Sequence, residues 1–307
     1  MKTIDRRGFL ESATALAAVA ALRPRPAAAA GAMKKALYIS MLPREQKDAA
    51  GAAHALSYLQ RFQMAKEAGF EGIEIGTVAS ATEAAEIKEA AATAGLTIHS
   101  VMNADHWKCP LSSADPEVVS KSVAGMEASL RNAKLWGADS VLLVPAVVNP
   151  ETSYQDAWTR SQKVVKERIL PLAQELEVVI GMEEVWNKFL LSPLEMARYV
   201  DEFASPYVKA YLDVGNMLFY GYPQDWVRTL GKRIHRVHIK DFKLGNGQFS
   251  WVNLGEGDVD WPEVRKAFGE VGYDGWVTTE IGGGNAAYLK DVVARFDRFL
   301  AGQKPVA

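Results

Sequence analysis

The sequence predicts an α/β fold in which eight parallel strands, each followed by a helix, close into a single (β/α)8 barrel. Apolar β-like runs alternate with amphipathic helical stretches along the chain, which is the pattern of βαβ units in a parallel sheet. No Pro-, Gly- or Ser-rich linker divides residues 33–307, so we expect them to form one domain. Their number suits a barrel of this type, which is typically ~250 residues long.

The predicted elements follow from hydrophobic period, capping residues and terminal glycines. Strands are predicted over residues 36–40, 72–76, 97–102, 140–145, 178–183, 208–213, 234–240 and 276–281. Helices are predicted over residues 57–68, 82–94, 115–136, 154–176, a segment opening at 192, 224–230, 260–268 and 285–300. At the segment opening at 192, Ser192 can cap the helix, Pro193 suits its first position and Glu195 completes a capping box. A doubly wound open sheet is the alternative, but six strands would suit it better and no G-x-G-x-x-G follows the first strand.

Residues 1–32 are predicted to be a twin-arginine (Tat) export signal rather than part of the fold. Arg6-Arg7 precedes an apolar run over residues 15–22, and Ala30-Gly31-Ala32 fits the small-residue cleavage rule. Cleavage after Ala28 or Ala30 is an alternative, as is a simple disordered N-terminus. The run is too short for a permanent membrane helix, so we expect a periplasmic protein that meets the Tat export machinery and has no stable membrane anchor.

Composition restricts the partners further. The formal net charge is -2 and the basic residues are scattered, so no basic stripe predicts nucleic-acid binding. Cys109 is the only cysteine, which excludes an internal disulfide and, because it lies far from the signal, argues against a lipid anchor.

The ends of the last four predicted strands carry the residues that indicate chemistry. Catalytic groups of barrels lie at the carboxyl ends of the strands, and here those ends present Glu183, Asp213, His238 and Glu280. A single acidic residue at such a place is more often a helix cap, but four ligand-type residues at corresponding places predict one divalent metal ion. Three carboxylates and an imidazole suit Mn²⁺, Mg²⁺ or Co²⁺, with Zn²⁺ as a further candidate. Without a cation the carboxylates would repel one another.

Six motifs resemble those of the xylose isomerase-like superfamily of TIM barrels. They are Glu183-Glu184-Val185-Trp186-Asn187, Asp213-Val214-Gly215-Asn216, Val237-His238-Ile239-Lys240-Asp241, Gly255-Glu256-Gly257-Asp258-Val259-Asp260-Trp261, Tyr273-Asp274-Gly275 and Thr279-Glu280. The resemblance covers essentially the whole chain after the predicted signal. It is specific for the superfamily, which includes sugar and sugar-phosphate isomerases and epimerases, but it does not identify a substrate.

The resemblance implies roles for the four residues at the strand ends. Glu183, Asp213, His238 and Glu280 correspond to the family's metal ligands, and in its epimerases the first and last glutamates also form an acid/base pair. These move a proton through a metal-stabilised enediolate, because the cation polarises the carbonyl and stabilises the oxyanion. Glu184 is an alternative ligand to its neighbour. The family also contains many dimers and tetramers, so a homo-oligomer is a further expectation.

Departures from the family pattern bear on the reaction. Enzymes like tagatose 3-epimerase carry a histidine where this chain has Asn216, and often Asn-Arg where it has Trp186-Asn187-Lys188. Simple ketose epimerisation in that style is therefore open to question. The candidate substrate-binding residues, chosen as polar or aromatic groups beyond strand ends, are His106, Trp107, Lys108, Trp186, Asn187, Asn216, Lys240 and Asp241.

The leading function is therefore a sugar isomerase or epimerase. A metal-dependent lyase that removes the aglycone from 3-keto-glycosides would use the same groups and is the first alternative. A non-catalytic carbohydrate-binding barrel is a further alternative, although it would be expected to lack one of the four ligand-type residues. A repair nuclease like endonuclease IV would need more histidines than the 5 present and a basic groove.

Overall fold

The barrel predicted from the sequence is present and closed. A computed structural model describes residues 32–48, 51–245 and 248–306, so the predicted export signal lies outside the described residues. The barrel strands are β1 Lys34–Tyr38, β2 Gly72–Gly76, β3 Thr97–Met102, β4 Ser140–Leu143, β5 Val179–Glu183, β6 Val208–Asp213, β7 Ile234–Ile239 and β8 Trp276–Thr279. Each pairs in parallel with its sequence neighbour, and β1 pairs with β8 to close the ring.

Helices cover the outside of the ring between successive strands. They are α1 Tyr58–Ala68, α2 Ala81–Ala94, α3 Pro116–Trp136, α4 Tyr154–Val164, α5 Leu170–Leu176, α6 Pro193–Asp201, α7 Val214–Met217, α8 Pro223–Leu230, α9 Trp261–Val271 and α10 Ala286–Leu300, with short 3₁₀ turns at Ile39–Met41, Asp105–Trp107 and Gly231–Arg233. Their apolar faces and the strands form one continuous core. Within the described ranges, no helix combines the length and apolar character needed to span a bilayer.

Two local predictions differ from the structure. The helix expected over residues 154–176 is interrupted by a π-helical turn at Val165–Ile169, because Pro171 has no N–H to continue the regular hydrogen bonds. At α6, Ser192 caps the helix by accepting from the Glu195 N–H, as expected. The Glu195 carboxylate instead accepts from the N–H of Leu191, so the reciprocal bond of a capping box is missing.

A β-hairpin that the sequence reading missed follows β7. Its strands are Asp241–Gly245 and Gln248–Val252, and it lies at the carboxyl end of the barrel beside the residues described below. A smaller hairpin of Glu45–Lys47 and Ala53–Ala55 follows β1. The insertion after β7 matters for function because it brings additional aromatic side chains to that end.

Candidate metal centre and active site

Glu183, Asp213, His238 and Glu280 form one compact cluster at the carboxyl end of the barrel. One ligand atom of each lies within 4.8 Å of the others. The Nδ1 atom of His238 is 3.1 Å from Glu183 Oε1, 3.4 Å from Glu280 Oε2 and 3.9 Å from Asp213 Oδ2. Three of the four side chains are buried, and that of Glu280 is 26% exposed. The cluster is therefore open to substrate on the Glu280 side.

Strand register explains why Asp213 and His238 meet. Between Ala210 and Tyr211 the pairing of β6 with β7 shifts by one residue, so that Asp213 lies opposite His238. Without this irregularity Asp213 would lie opposite Val237, whose side chain points to the other face of the sheet, since successive side chains of a strand alternate. Glu280 reaches the same level because its N–H donates to the Ile239 carbonyl and extends the pairing of β8.

The electrostatics of the cluster fit a bound cation. Burial, with repulsion from Glu280 and Asp213, raises the pKa of Glu183 to about 7. Burial also raises the pKa of Asp213. Burial alone would favour neutral His238, but the surrounding carboxylates raise its pKa well above the ordinary value. Each shift has the direction expected where carboxylates crowd a site that lacks sufficient positive charge.

Lys240 supplies part of that positive charge. Its Nζ lies 2.6 Å from Glu280 Oε2 and 2.8 Å from Asp213 Oδ2, so the ammonium pairs with both carboxylates. One ammonium cannot balance three carboxylates. Three carboxylates and an imidazole whose ligand atoms all lie within 4.8 Å of one another fit a hard divalent ion.

Glu74 supports the cluster from the opposite side of the ring, and the sequence reading missed it. Its Oε2 lies 2.7 Å from His238 Nε2, and its Oε1 accepts a 2.9 Å hydrogen bond from the Tyr211 hydroxyl. A carboxylate at Nε2 favours the proton on that nitrogen and leaves the Nδ1 lone pair facing the cluster. Gly181 makes room for this arrangement, because a Cβ there would lie 2.8 Å from the Tyr211 ring.

Glu184 has a different environment from Glu183. Its Oε1 accepts a 3.0 Å hydrogen bond from the Asp213 N–H, which directs the side chain away from the four-residue cluster. Asn216 completes this support: its N–H donates to Asp213 Oδ1 and its Nδ2 donates to the Glu184 carbonyl. Of the two adjacent glutamates, the geometry therefore makes Glu183 the candidate ligand and gives Glu184 a supporting position.

A cavity of about 320 Å³ opens onto the cluster. Five of the eight predicted substrate-binding residues line it together with Glu183 and Glu280; they are His106, Trp107, Trp186, Asn216 and Lys240. His106 is buried, and within the described chain neither ring nitrogen has a hydrogen-bond partner. Because burial lowers the pKa of His106 to about 4, the ring is neutral at pH 7 and presents an uncharged polar group to the cavity.

Aromatic rings form one wall of the cavity. Trp186 stacks on Trp251 with ring centroids 4.9 Å apart and planes inclined by 17°, and it also contacts Phe219 and Phe249. The Trp186 Nε1–H donates to the Asn216 carbonyl, which fixes the indole against the cluster. Trp251 comes from the hairpin after β7 and was not predicted. Flat apolar surfaces beside hydroxyl-binding groups are typical of sites for sugars.

The other three predicted substrate-binding residues do not line this cavity. Lys108 projects into solvent. Asn187 donates to the Ala146 carbonyl and accepts from the Phe189 N–H, so its amide stabilises the loop after β5. The carboxylate of Asp241 accepts from five N–H groups, four of them in the segment 255–261. Asp241 therefore anchors that segment and does not orient His238.

His99 belongs to the core of the barrel. Its ring stacks on Trp276 at 4.9 Å, and its Nε2 lies 3.0 Å from the Thr278 hydroxyl inside the barrel.

A closed parallel barrel with a carboxylate and imidazole cluster at the carboxyl ends of its strands defines a class of metal-binding barrels. Comparison with known proteins identifies the group within that class. The chain belongs to the xylose isomerase-like TIM barrel family, whose model matches residues 62–298.

Relatives and solved structures similar to this chain include several epimerases. A putative L-ribulose-5-phosphate 3-epimerase of Haemophilus influenzae is 24% identical over 235 residues, which is 72% of this chain and 82% of that protein. The structure of D-allulose 3-epimerase from Methylomonas sp. in complex with D-allulose superposes with a TM-score of 0.67 at 20% identity, over 82% of this chain and 85% of that one. The 3-keto-D-glucoside 4-epimerase of E. coli gives a TM-score of 0.69 at 18% identity, over 85% and 98% of the two chains.

Proposed function

We propose that this protein is a metal-dependent sugar isomerase or epimerase that moves a proton at a carbon next to a carbonyl group. The observation that carries the proposal is the position of Glu183 and Glu280, which both border the cavity and both belong to the cluster around His238 Nδ1. The names of the relatives support the same class of reaction, since they are epimerases acting on sugars.

Glu183, Asp213, His238 and Glu280 would hold the ion, which when bound supplies an electrophile that polarises the carbonyl and stabilises negative charge on its oxygen. The remaining chemistry belongs to the side chains. A carboxylate oxygen of one glutamate accepts the proton from the substrate carbon. The other glutamate delivers a proton to the opposite face of that carbon or to the neighbouring carbon. His106 and Asn216 would orient the sugar hydroxyls, while the wall formed by Trp186 and Trp251 excludes water.

The test is metal-dependent turnover. The chain lacking residues 1–32 is stripped with chelator, reloaded with Mn²⁺, Mg²⁺, Co²⁺ or Zn²⁺, and assayed on free sugars, sugar phosphates and 3-keto-glycosides. Removing one acid/base group lowers rates by about 10²–10⁴-fold, so Glu183→Gln should lose turnover to that extent and His238→Ala should lose the ion as well. Glu195→Gln, which changes a carboxylate away from the cluster, is the control. A folded chain that binds no ion would contradict the mechanism and leave a carbohydrate-binding barrel.

A lyase acting on 3-keto-glycosides is the second candidate. The similarity to a 3-keto-D-glucoside 4-epimerase favours it, because that name describes a substrate with the required carbonyl. One glutamate would remove the proton at C2 as the C1–C2 double bond forms and the C1–O bond breaks, and the other would protonate the departing oxygen. Product analysis separates the two reactions: an epimerase gives a new isomer, whereas a lyase gives a free aglycone.

We also propose that residues 1–32 direct the protein to the periplasm through the Tat pathway. The supporting observation is the twin arginine before an apolar run. Replacing Arg6 and Arg7 together by lysine should leave the protein in the cytoplasm on cell fractionation, and unchanged export would refute the proposal.

A further inference from the structure

A second cavity adjoins the proposed sugar site. It has a volume of about 550 Å³ and shares Lys240, Trp251 and Glu280 with the first cavity. Its remaining lining residues are Asp241, Val252, Asn253, Ile281, Gly282 and Tyr288. The two cavities therefore adjoin at Glu280, which is one of the two proposed proton-transfer groups. A volume of this size accommodates a substantial ligand fragment.

The charges around the second cavity favour an uncharged occupant. Among the described residues that line it, Lys240 is the only cationic one, and its ammonium is already paired with Asp213 and Glu280. The carboxylate of Asp241 is enclosed by backbone and indole N–H groups. A phosphate or carboxylate would therefore find no free cation among the lining residues, and burying an unpaired anion is costly.

The shape and chemistry of the lining favour a ring. Trp251 is 49% exposed, so part of its indole is uncovered. The Tyr288 ring, from the first turn of α10, borders the same space. The space in front of Gly282 is open, since a Cβ added there would have no atom within 4 Å. Two aromatic surfaces suit the flat face of a sugar ring or of an aryl ring, and the asparagine amide can hydrogen-bond hydroxyl groups on that ring.

We propose that this cavity is a second subsite, which binds an uncharged ring attached to the sugar that reacts beside Glu280. The preferred substrates are then glycosides rather than free monosaccharides. The inference rests on the proposed function, because it takes the first cavity as the site of the reacting sugar. The attached ring is either a second sugar or an aryl aglycone, since both offer the flat uncharged face that Trp251 and Tyr288 would contact.

Calorimetric titration of the Mn²⁺-loaded protein tests the subsite with two matched pairs of ligands. The first pair is D-fructose and lactulose, which is fructose bearing a galactosyl ring. The second pair is methyl and p-nitrophenyl 3-keto-β-D-glucoside. Contact with an additional ring should make the two-ring member bind at least about tenfold more tightly in one pair or both. The pair with the larger difference identifies whether the second ring is a sugar or an aryl group.

Variants of Tyr288 separate ring contact from folding. Tyr288→Phe keeps the ring and should keep the affinity ratio within each pair, whereas Tyr288→Leu removes the flat surface and should reduce the ratio several-fold. Equal affinities within both pairs, or a ratio that Tyr288→Leu leaves intact, would overturn the subsite while leaving the proposed function in place. Absence of binding by all four ligands would also overturn the subsite, whereas the proposed function is refuted only by absence of metal-dependent turnover on the whole panel of sugars, sugar phosphates and 3-keto-glycosides.

Discussion

Glu74→Gln tests whether the buried carboxylate opposite the cluster controls the ligand geometry of His238. Glu74 and His238 are 0% exposed, and the Glu74 Oε2 to His238 Nε2 distance is 2.7 Å. Glutamine has nearly the same shape, and its amide can turn either its oxygen or its NH₂ group toward the ring. The substitution therefore removes the charge and the fixed preference for a proton on Nε2, but it leaves the volume of the site unchanged.

The expected effect is a loss of metal affinity. Replacing a group that hydrogen-bonds a ligating imidazole typically weakens metal binding by about 10- to 100-fold, which corresponds to about 1.4–2.7 kcal/mol. Competition with a fluorescent chelator measures the dissociation constant for Mn²⁺ or Co²⁺. The visible spectrum of the Co²⁺ form reports the ligand geometry independently of turnover. Glu195→Gln is the matched control, because its carboxylate also accepts from a tyrosine hydroxyl, that of Tyr154, at a distance from the cluster.

The outcome that would refute this reasoning is specific. If Glu74→Gln binds Co²⁺ with unchanged affinity and spectrum while the free energy of unfolding falls, then Glu74 stabilises the barrel without orienting His238. Tyr211→Phe should give a smaller effect of the same sign, because it removes only the hydroxyl that donates to Glu74 Oε1.

Two further substitutions test individual roles. Asp241→Asn should lower the free energy of unfolding by about 3 kcal/mol in urea denaturation, because the five N–H groups lose a charged acceptor. Metal affinity should be retained. A loss of metal binding without destabilisation would contradict the anchoring role. His106→Gln tests a pH dependence. Burial lowers the pKa of His106 from 6.5 to about 4, so the unfolded chain binds the proton first and the native protein loses stability as the pH falls through that interval. The unfolding temperature of the variant should therefore fall less steeply between pH 6.5 and 4 than that of the unaltered protein. The same pH dependence in both proteins would contradict a lowered pKa for His106.

The metal cluster could be predicted from the sequence because its members end consecutive strands of a regular barrel. Their common position depends only on strand order and on the rule that active sites lie at the carboxyl ends. The register shift before Tyr211 was not needed for that prediction, although it determines which residue faces Asp213. The alternation of apolar β-like runs with amphipathic helical stretches, together with the length of the chain, then sufficed to predict the fold.

Glu74 was missed because its role arises only when the ring closes. It lies 164 residues before His238 in the chain, and no local pattern connects the two. A signal was nevertheless present, since a single carboxylate between Ile73 and Ile75 in a buried strand requires a partner. Trp251 was missed for a different reason. The Asn246-Gly247 dipeptide between two runs with alternating apolar residues is a strong hairpin signal, but no hairpin was predicted there.

Asp241 shows that a residue close in the chain to a candidate ligand can have a structural role of its own. It follows His238 by three residues, but β7 ends at Ile239, so the chain turns into the hairpin before Asp241. Its carboxylate then points to the Gly255 and Gly257 N–H groups. A Cβ at Gly257 would lie 2.1 Å from Asp241 Oδ1, so the glycine in this motif is required by the carboxylate it encloses. The motif that indicated the family thus has a structural basis.

Lys240 connects the metal centre with both cavities. Its ammonium lies within 2.8 Å of two of the three candidate ligand carboxylates, and the side chain lines both cavities. A divalent ion and the ammonium compete for the Asp213 oxygen, so we expect metal binding to weaken that contact and leave Lys240 held by Glu280. The Nζ atom also lies 5.1 Å from the centroid of the Trp251 ring. This cation–π contact favours an ammonium position at the boundary between the two cavities, because Trp251 lines both. There it can donate to an oxygen that links two rings, which would couple loading of the metal to recognition of the substrate.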